Sequence, residues 1–288
     1  MKSFGSQKLI GFFLAFMISG WVCAQNLGSL LNDFDYKARI GLVDEFFERF
    51  NGKAVNPVLD KPDRLKSLVA LFDQSQFSSY NDPRFKEAIA MAERIINDSV
   101  LISYPDSMWI ALAHCTAVLD GKNVKLDLFL NVEKRGEDMY KWVISKAAGD
   151  IFSISPKYQN DKNMLYPDDH ETNFMSLARL CKEQPSDIMN FMNKSFKYDP
   201  TNVFVYLVYN GKLKIEYVEQ LEFVFTQVPG YMFNIRYFDR EGFNSGWLIS
   251  NFYEFTDEDK RAFLIYAGNY NRIEDKEVKQ VEEKENEE

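Results

Sequence analysis

Histidine and cysteine are scarce. The 288 residues hold two of the first and three of the second, scattered rather than set at the short regular spacings of a zinc site. A Gly-rich phosphate cradle, a serine elbow and a two-histidine metalloprotease helix are all missing, so no reaction can be read from a motif. No apolar run reaches the roughly 20 residues that cross a bilayer; the stretch Leu9 to Trp21 is about 13. Basic residues form no stripe, and the net charge of -9 argues against nucleic acid as the partner.

What is present starts with an export signal. Lys2 and Lys8 precede the apolar run, and Val22-Cys23-Ala24-Gln25 follows it, the layout of a signal peptide cut after Ala24. A rival reading makes Cys23 the lipid-bearing residue of a lipoprotein, although Gly20 and Val22 stand where such signals place a leucine and a small residue. An uncleaved anchor is the third possibility. The expected location is periplasmic or secreted, with no transmembrane segment in the mature chain. Cys115 and Cys181 then reach an oxidising space where a pair can bridge; two small buried apolar side chains is the simpler expectation.

The centre of the chain, Met108 to Ala147, reads as three strands. Its middle member places Val124, Leu126, Leu128, Leu130 and Val132 on one face and Lys125, Asp127 and Asn131 on the other, the alternation of a half-buried antiparallel strand. Asp120-Gly121-Lys122-Asn123 and Lys134 to Asp138 supply the reversals. In the strand from Met108 to Leu119, Ala111, Ala113, Cys115 and Ala117 form a row of small residues that lets a helix approach.

Three amphipathic helices precede the strands. The first carries Ile40, Val43, Phe46, Phe47 and Phe50 and stops at Asn51-Gly52; the second follows Pro62-Asp63 with Leu65, Leu68, Val69 and Phe72; the third is capped by Asp82-Pro83 and carries Phe85, Ile89, Ala92, Ile95 and Ile96. A polar loop over 154–173 marks a boundary. Short helices are expected over Phe174 to Gln184 and Asp187 to Phe196, then strands over Val203 to Tyr209, Lys212 to Val218, Leu221 to Val228, Tyr231 to Asp239 and Trp247 to Phe255. A short helix, Asp257 to Tyr266, and a charged tail over 271–288 end the chain. The expected fold is α+β: N-terminal helices on a curved antiparallel sheet, followed by a second helix-plus-meander unit. The boundaries are a leader over 1–24, a first unit over 25–153 and a second over 174–270.

Lys141-Trp142-Val143-Ile144-Ser145 is echoed by Gly246-Trp247-Leu248-Ile249-Ser250 at the end of the second meander, which admits a duplicated unit. Helices first, then a meander whose last strand carries a tryptophan, resembles the nuclear transport factor 2-like superfamily over Ile40 to Ile151 and again over Phe174 to Phe255. The resemblance implies a cone-shaped α+β fold with a pocket. Catalytic relatives project an Asp with a His or Tyr into the cone, and no such pair carries over by motif.

His114 is the candidate general base, with Asp127 or Tyr140 on neighbouring strands to orient it; a satisfied sheet histidine is the plainer reading. Cys115 points to the opposite face, so the two are badly placed as a nucleophile and base. The loop Tyr166 to Glu171, with His170 and nearby Asp161, offers ligand atoms without a ligand spacing, so no metal or cofactor is expected. The second half is rich in rings, among which Tyr206, Tyr237 and Trp247 are candidates for binding a protein, peptide or glycan. The expected function is that of an exported, non-catalytic binding or envelope-associated protein. The alternatives are a small-molecule hydrolase, isomerase or lyase working in the cone, and a structural component of an envelope complex. The surroundings of His114 separate them: an open polar site favours the enzyme, a filled apolar one the other two.

Overall fold

The computed structural model describes residues 39–40, 43–53, 64–104, 108–136, 139–154, 174–183 and 185–268. The leader over 1–24, nearly all of the polar loop over 154–173 with His170, the side chain of Cys181 and the tail over 271–288 lie outside the described residues. The fold is α+β, with a curved six-strand antiparallel sheet. Its strands are β2 (Trp109–Leu119), β3 (Lys122–Lys134), β4 (Tyr140–Ala148), β5 (Leu213–Phe225), β6 (Tyr231–Phe238) and β7 (Ser245–Glu254), and a two-residue strand β1 (Arg39–Ile40) runs parallel to β7. The order is β1-β7-β6-β5-β2-β3-β4, so the two expected meanders are joined through their first strands.

The chain forms two compact units. In the first, the described part of 39–100 and Phe238–Ile249, three helices stand where their stripes predict: α1 (Val43–Phe50), α2 (Arg64–Val69) and α3 (Pro83–Asn97). Phe46, Phe47 and Phe50 are buried on α1, while Ile40 belongs to β1 rather than to the helix. Asp82 caps α3 by accepting the Arg84 N–H at 2.9 Å, with Pro83 as the first helical residue. The buried stripe of α3 is Phe85, Ala88, Met91, Ala92 and Ile95, so Ile89 and Ile96 sit at its margin.

A polar knot holds the loops of this unit. Asn244 donates to the carbonyls of Ala70 at 3.0 Å and Phe72 at 2.6 Å and accepts the Gln74 N–H at 3.1 Å. Asp73, buried, pairs with Arg240, whose guanidinium also donates to Ser75 Oγ at 2.7 Å. Ile249 exchanges backbone bonds with Leu71 and Asp73.

The second unit holds the described part of 101–237 and 250–268. The β2–β3 hairpin closes on Asp120 and Gly121, both at positive φ (49° and 80°), the primed turn that matches strand twist. One face of the sheet buries the small row Ala113, Cys115 and Ala117 with Leu126, Leu128 and Phe204. Phe204 belongs to a helix, α5 (Pro200–Tyr209), which follows α4 (Ser176–Glu183). This corrects the strand expected over Val203 to Tyr209. Asp199 accepts the Thr201 N–H and Pro200 starts the helix, the same cap signal as Asp82-Pro83, and it prevails over the β-branched and aromatic content of the segment. The opposite face packs Ile110, Leu112, Phe129 and Val224 against Phe263 and Leu264 of α6 (Asp257–Tyr266).

A second correction concerns β5. The strands expected over Lys212 to Val218 and Leu221 to Val228 are one strand, whose pairing with β2 shifts register between His114 and Cys115 and again between Thr116 and Ala117. The gap expected between Val218 and Leu221 holds a bulge at Glu219.

Candidate functional site

Face B of the sheet, the side that carries α6, is apolar only over half its length. Beyond Leu112 on β2 the next outward residue is His114, and the turn at Asp120-Gly121 fixes its cross-strand partner as Asp127 on β3. His114 Nδ1 lies 2.7 Å from Asp127 Oδ1. The ring is 27% exposed, and Nε2 has no hydrogen-bond partner among the described residues.

The strand on the other side, β5, adds three carboxylate and amide groups. Gln220 stands opposite His114. Gln220 Nε2 and Asn234 Nδ2 both donate to Glu222, the latter at 3.1 Å, and the Glu222 and Asn234 side chains are buried. Glu219, bulged out of register, accepts from Thr116 Oγ1 at 2.5 Å and from Lys125 Nζ at 2.9 Å. Asn234, Glu222, Gln220, His114 and Asp127 thus form a polar band across four strands.

The charges of this band act on one another. The hydrogen bond that His114 donates to Asp127 raises the His114 pKa above its ordinary value; burial opposes the rise, and the negative charges of Asp127, Glu222 and Glu219 add to it. Bonds from Thr116 and Lys125 hold the Glu219 carboxyl low. Tyr266 lies at the end of α6 with its ring 5.6 Å from that of Phe129, and burial, reinforced by the Asp127 charge, pushes its phenol up. Lys146 on β4 donates from Nζ to the Tyr266 carbonyl at 2.7 Å and sits 3.2 Å over the same ring; burial brings it down to about 8. That lysine closes the C-terminus of α6, together with Ser145 Oγ, which donates to the Ala267 carbonyl at 2.7 Å.

The arrangement suits proton transfer. Asp127 on Nδ1 holds the ring in one orientation and leaves Nε2 as the nitrogen that takes or gives a proton. Cys115 is no part of it: the thiol is buried on the opposite face, Sγ donating to the Ala113 carbonyl at 3.6 Å, and burial pushes its pKa up, which leaves it protonated and unreactive. Among the described residues no three His, Cys, Asp or Glu side chains gather to hold a metal ion, and no helix is long and apolar enough to cross a membrane.

The other sequence candidates lie apart from the band. Tyr140 opens β4 opposite Lys134, whereas Asp127 faces Ala148 at the far end of that strand, about 25 Å away at 3.3 Å per residue. Tyr206 projects from α5 and Tyr237 from β6, both exposed, while Trp247 is half-buried on β7. Glu222, Gln220 and Tyr266 were not singled out in the sequence. Comparison with protein-family models, curated proteins and solved structures matches this chain to none of them.

Proposed function

We propose that this chain is an exported enzyme of the acid–base class, a hydrolase, isomerase or lyase acting on a small molecule with His114 Nε2 as the proton-transfer atom and Asp127 as its positioning group. The observation that carries the reading is the 2.7 Å bond between His114 Nδ1 and Asp127 Oδ1 beside an unpartnered, partly exposed Nε2. The resemblance in element order to the nuclear transport factor 2-like superfamily is part of this proposal. Three carboxylates, Asp127, Glu219 and Glu222, act on His114, so the substrate is neutral or cationic at its reacting end, and phosphate esters are disfavoured.

The test is turnover of a panel of neutral and cationic esters, hydroxy compounds and enolisable carbonyls by the mature chain. Activity on one class that falls about 10²- to 10⁴-fold in His114→Gln, with the acidic limb of the pH profile, where the base loses its proton, moved to lower pH by Asp127→Asn, supports the assignment. Turnover untouched by His114→Gln, or none on any class, sinks it. The second reading, a non-catalytic binding protein, is favoured by the exposure of Tyr206 and Tyr237; peptide and glycan arrays probed with Tyr206→Ala and Tyr237→Ala chains decide it.

A further inference from the structure

We infer that the outward face of α5 is the contact through which two copies of this chain associate, as an isologous pair of antiparallel helices. Val203, Phe204 and Leu207 turn the inner face of α5 to the core. The outer face is apolar too: Val205 is 57% exposed, Tyr206 60%, Val208 41% and Tyr209 89%. A surface helix that belongs to one chain alone carries a polar outer face. The ten residues of α5 hold no Asp, Glu, Lys or Arg, in a chain where 27% of residues are charged. Asn202, Val205, Tyr206 and Tyr209 follow the i, i+3, i+4, i+7 spacing of a seam one helix wide.

Charge selects the occupant. Copies of a chain with net charge -9 repel each other, and a two-fold contact sets each residue near its own counterpart, so a charge at its centre meets a like charge. The uncharged face of α5 avoids that clash. Its ends are complementary instead: Asp199, exposed, caps the N-terminus, and Lys212, exposed, follows the C-terminus. Antiparallel alignment centred on Val205 and Tyr206 brings Asp199 of each copy towards Lys212 of the other, and the helix dipoles then oppose as well. A charged peptide finds no counter-charge along the centre of this face.

The experiment is sedimentation equilibrium of the mature chain from micromolar to hundreds of micromolar. The expected mass rises to that of two chains. Val205→Glu and Tyr206→Glu, both at exposed positions that leave the circular dichroism unchanged, raise the dissociation constant at least about tenfold by burying a charge in the contact. Asp199→Lys weakens association, and Asp199→Lys with Lys212→Asp restores it, an outcome that non-specific stickiness does not give. Tyr206→Cys, next to the axis, links two chains under mild oxidation, whereas a cysteine replacing Lys86 on the outer side of α3 does not. A single-chain mass at every concentration, or a dimer indifferent to Val205→Glu, overturns the inference. So does binding to neutral phospholipid vesicles by a monomeric chain that is lost in Val205→Glu, which assigns the face to a lipid surface.

Discussion

Gly268 is where one added methyl group reports on how α6 is held. The residue follows the last turn of α6 at φ +79°, and a Cβ there lies 2.6 Å from the Ser145 carbonyl oxygen. Gly230 has nearly the same backbone, φ +77°, with nothing within 4 Å of its Cβ position, so Gly230→Ala measures the conformational cost alone, about 1 to 2 kcal/mol. Gly268→Ala adds the collision. It is relieved by pushing the end of α6 away from β4, which breaks the bonds that Ser145 and Lys146 give to the carbonyls of Ala267 and Tyr266, each 2.7 Å. The first is a neutral bond of about 1 kcal/mol and the second a charge-assisted one of about 1.5 to 3. Gly268→Ala is therefore expected to exceed Gly230→Ala by about 2.5 to 4 kcal/mol. Urea unfolding followed by tryptophan fluorescence reads the difference, since Trp109 and Trp142 lie in the same unit as α6. Variants equal to within about 0.5 kcal/mol, the scatter of ordinary surface changes, refute the claim that β4 clamps the helix end.

Asn244→Ala strands two carbonyls and one N–H in a buried loop and should cost about 3 kcal/mol in denaturant titration, at about 1 kcal/mol per bond. Phe204→Ala empties the space under α5 and is expected to lose about 3 to 5 kcal/mol, whereas Phe204→Leu, which keeps most of the volume, loses about 1.5 or less. The chain has two histidines, so imidazole resonances resolve His114 without a substrate: its pKa should lie above the ordinary 6.5 and fall in Asp127→Asn. Because the folded value is the raised one, the His114–Asp127 pair stabilises the fold in full below the unfolded pKa. That contribution fades as pH rises through the folded pKa, and a stability profile of Asp127→Asn should lack this loss.

Local rules carried the helices of the first unit and one half of the candidate site. Asp82-Pro83 and Asn51-Gly52 are punctuation that tertiary contacts did not override. The dyad was half legible: Asp127 and Tyr140 both stood as orienting groups for His114, and the two-residue turn at Asp120-Gly121, which selects Asp127, was read only as part of a four-residue reversal. The other half of the site was not legible, since Glu219 reaches Thr116 across 103 residues of sequence and nothing local announces that β5 pairs with β2. Tyr266 depends in the same way on α6 folding back over Phe129. The misread of α5 has a different cause: Val, Phe and Tyr prefer strands on average, but that preference reflects fit to a pleated surface, and here a strong cap and a row of alanines beneath favour a helix. Asp199-Pro200 was the signal to follow.

Among the described residues, β5 meets β6 only from Glu222 onward, leaving Leu213 to Leu221 open along one side with Ile215, Tyr217 and Val218 exposed. A flat strand of that composition invites fibrous stacking. The two register shifts that throw Glu216 and Glu219 out of the ladder twist the backbone and set a negative charge at each kink, so a strand from a neighbouring molecule finds no straight template to extend. The irregularity that brings Glu219 to Thr116 is thus also the feature of this edge that works against strand-to-strand stacking.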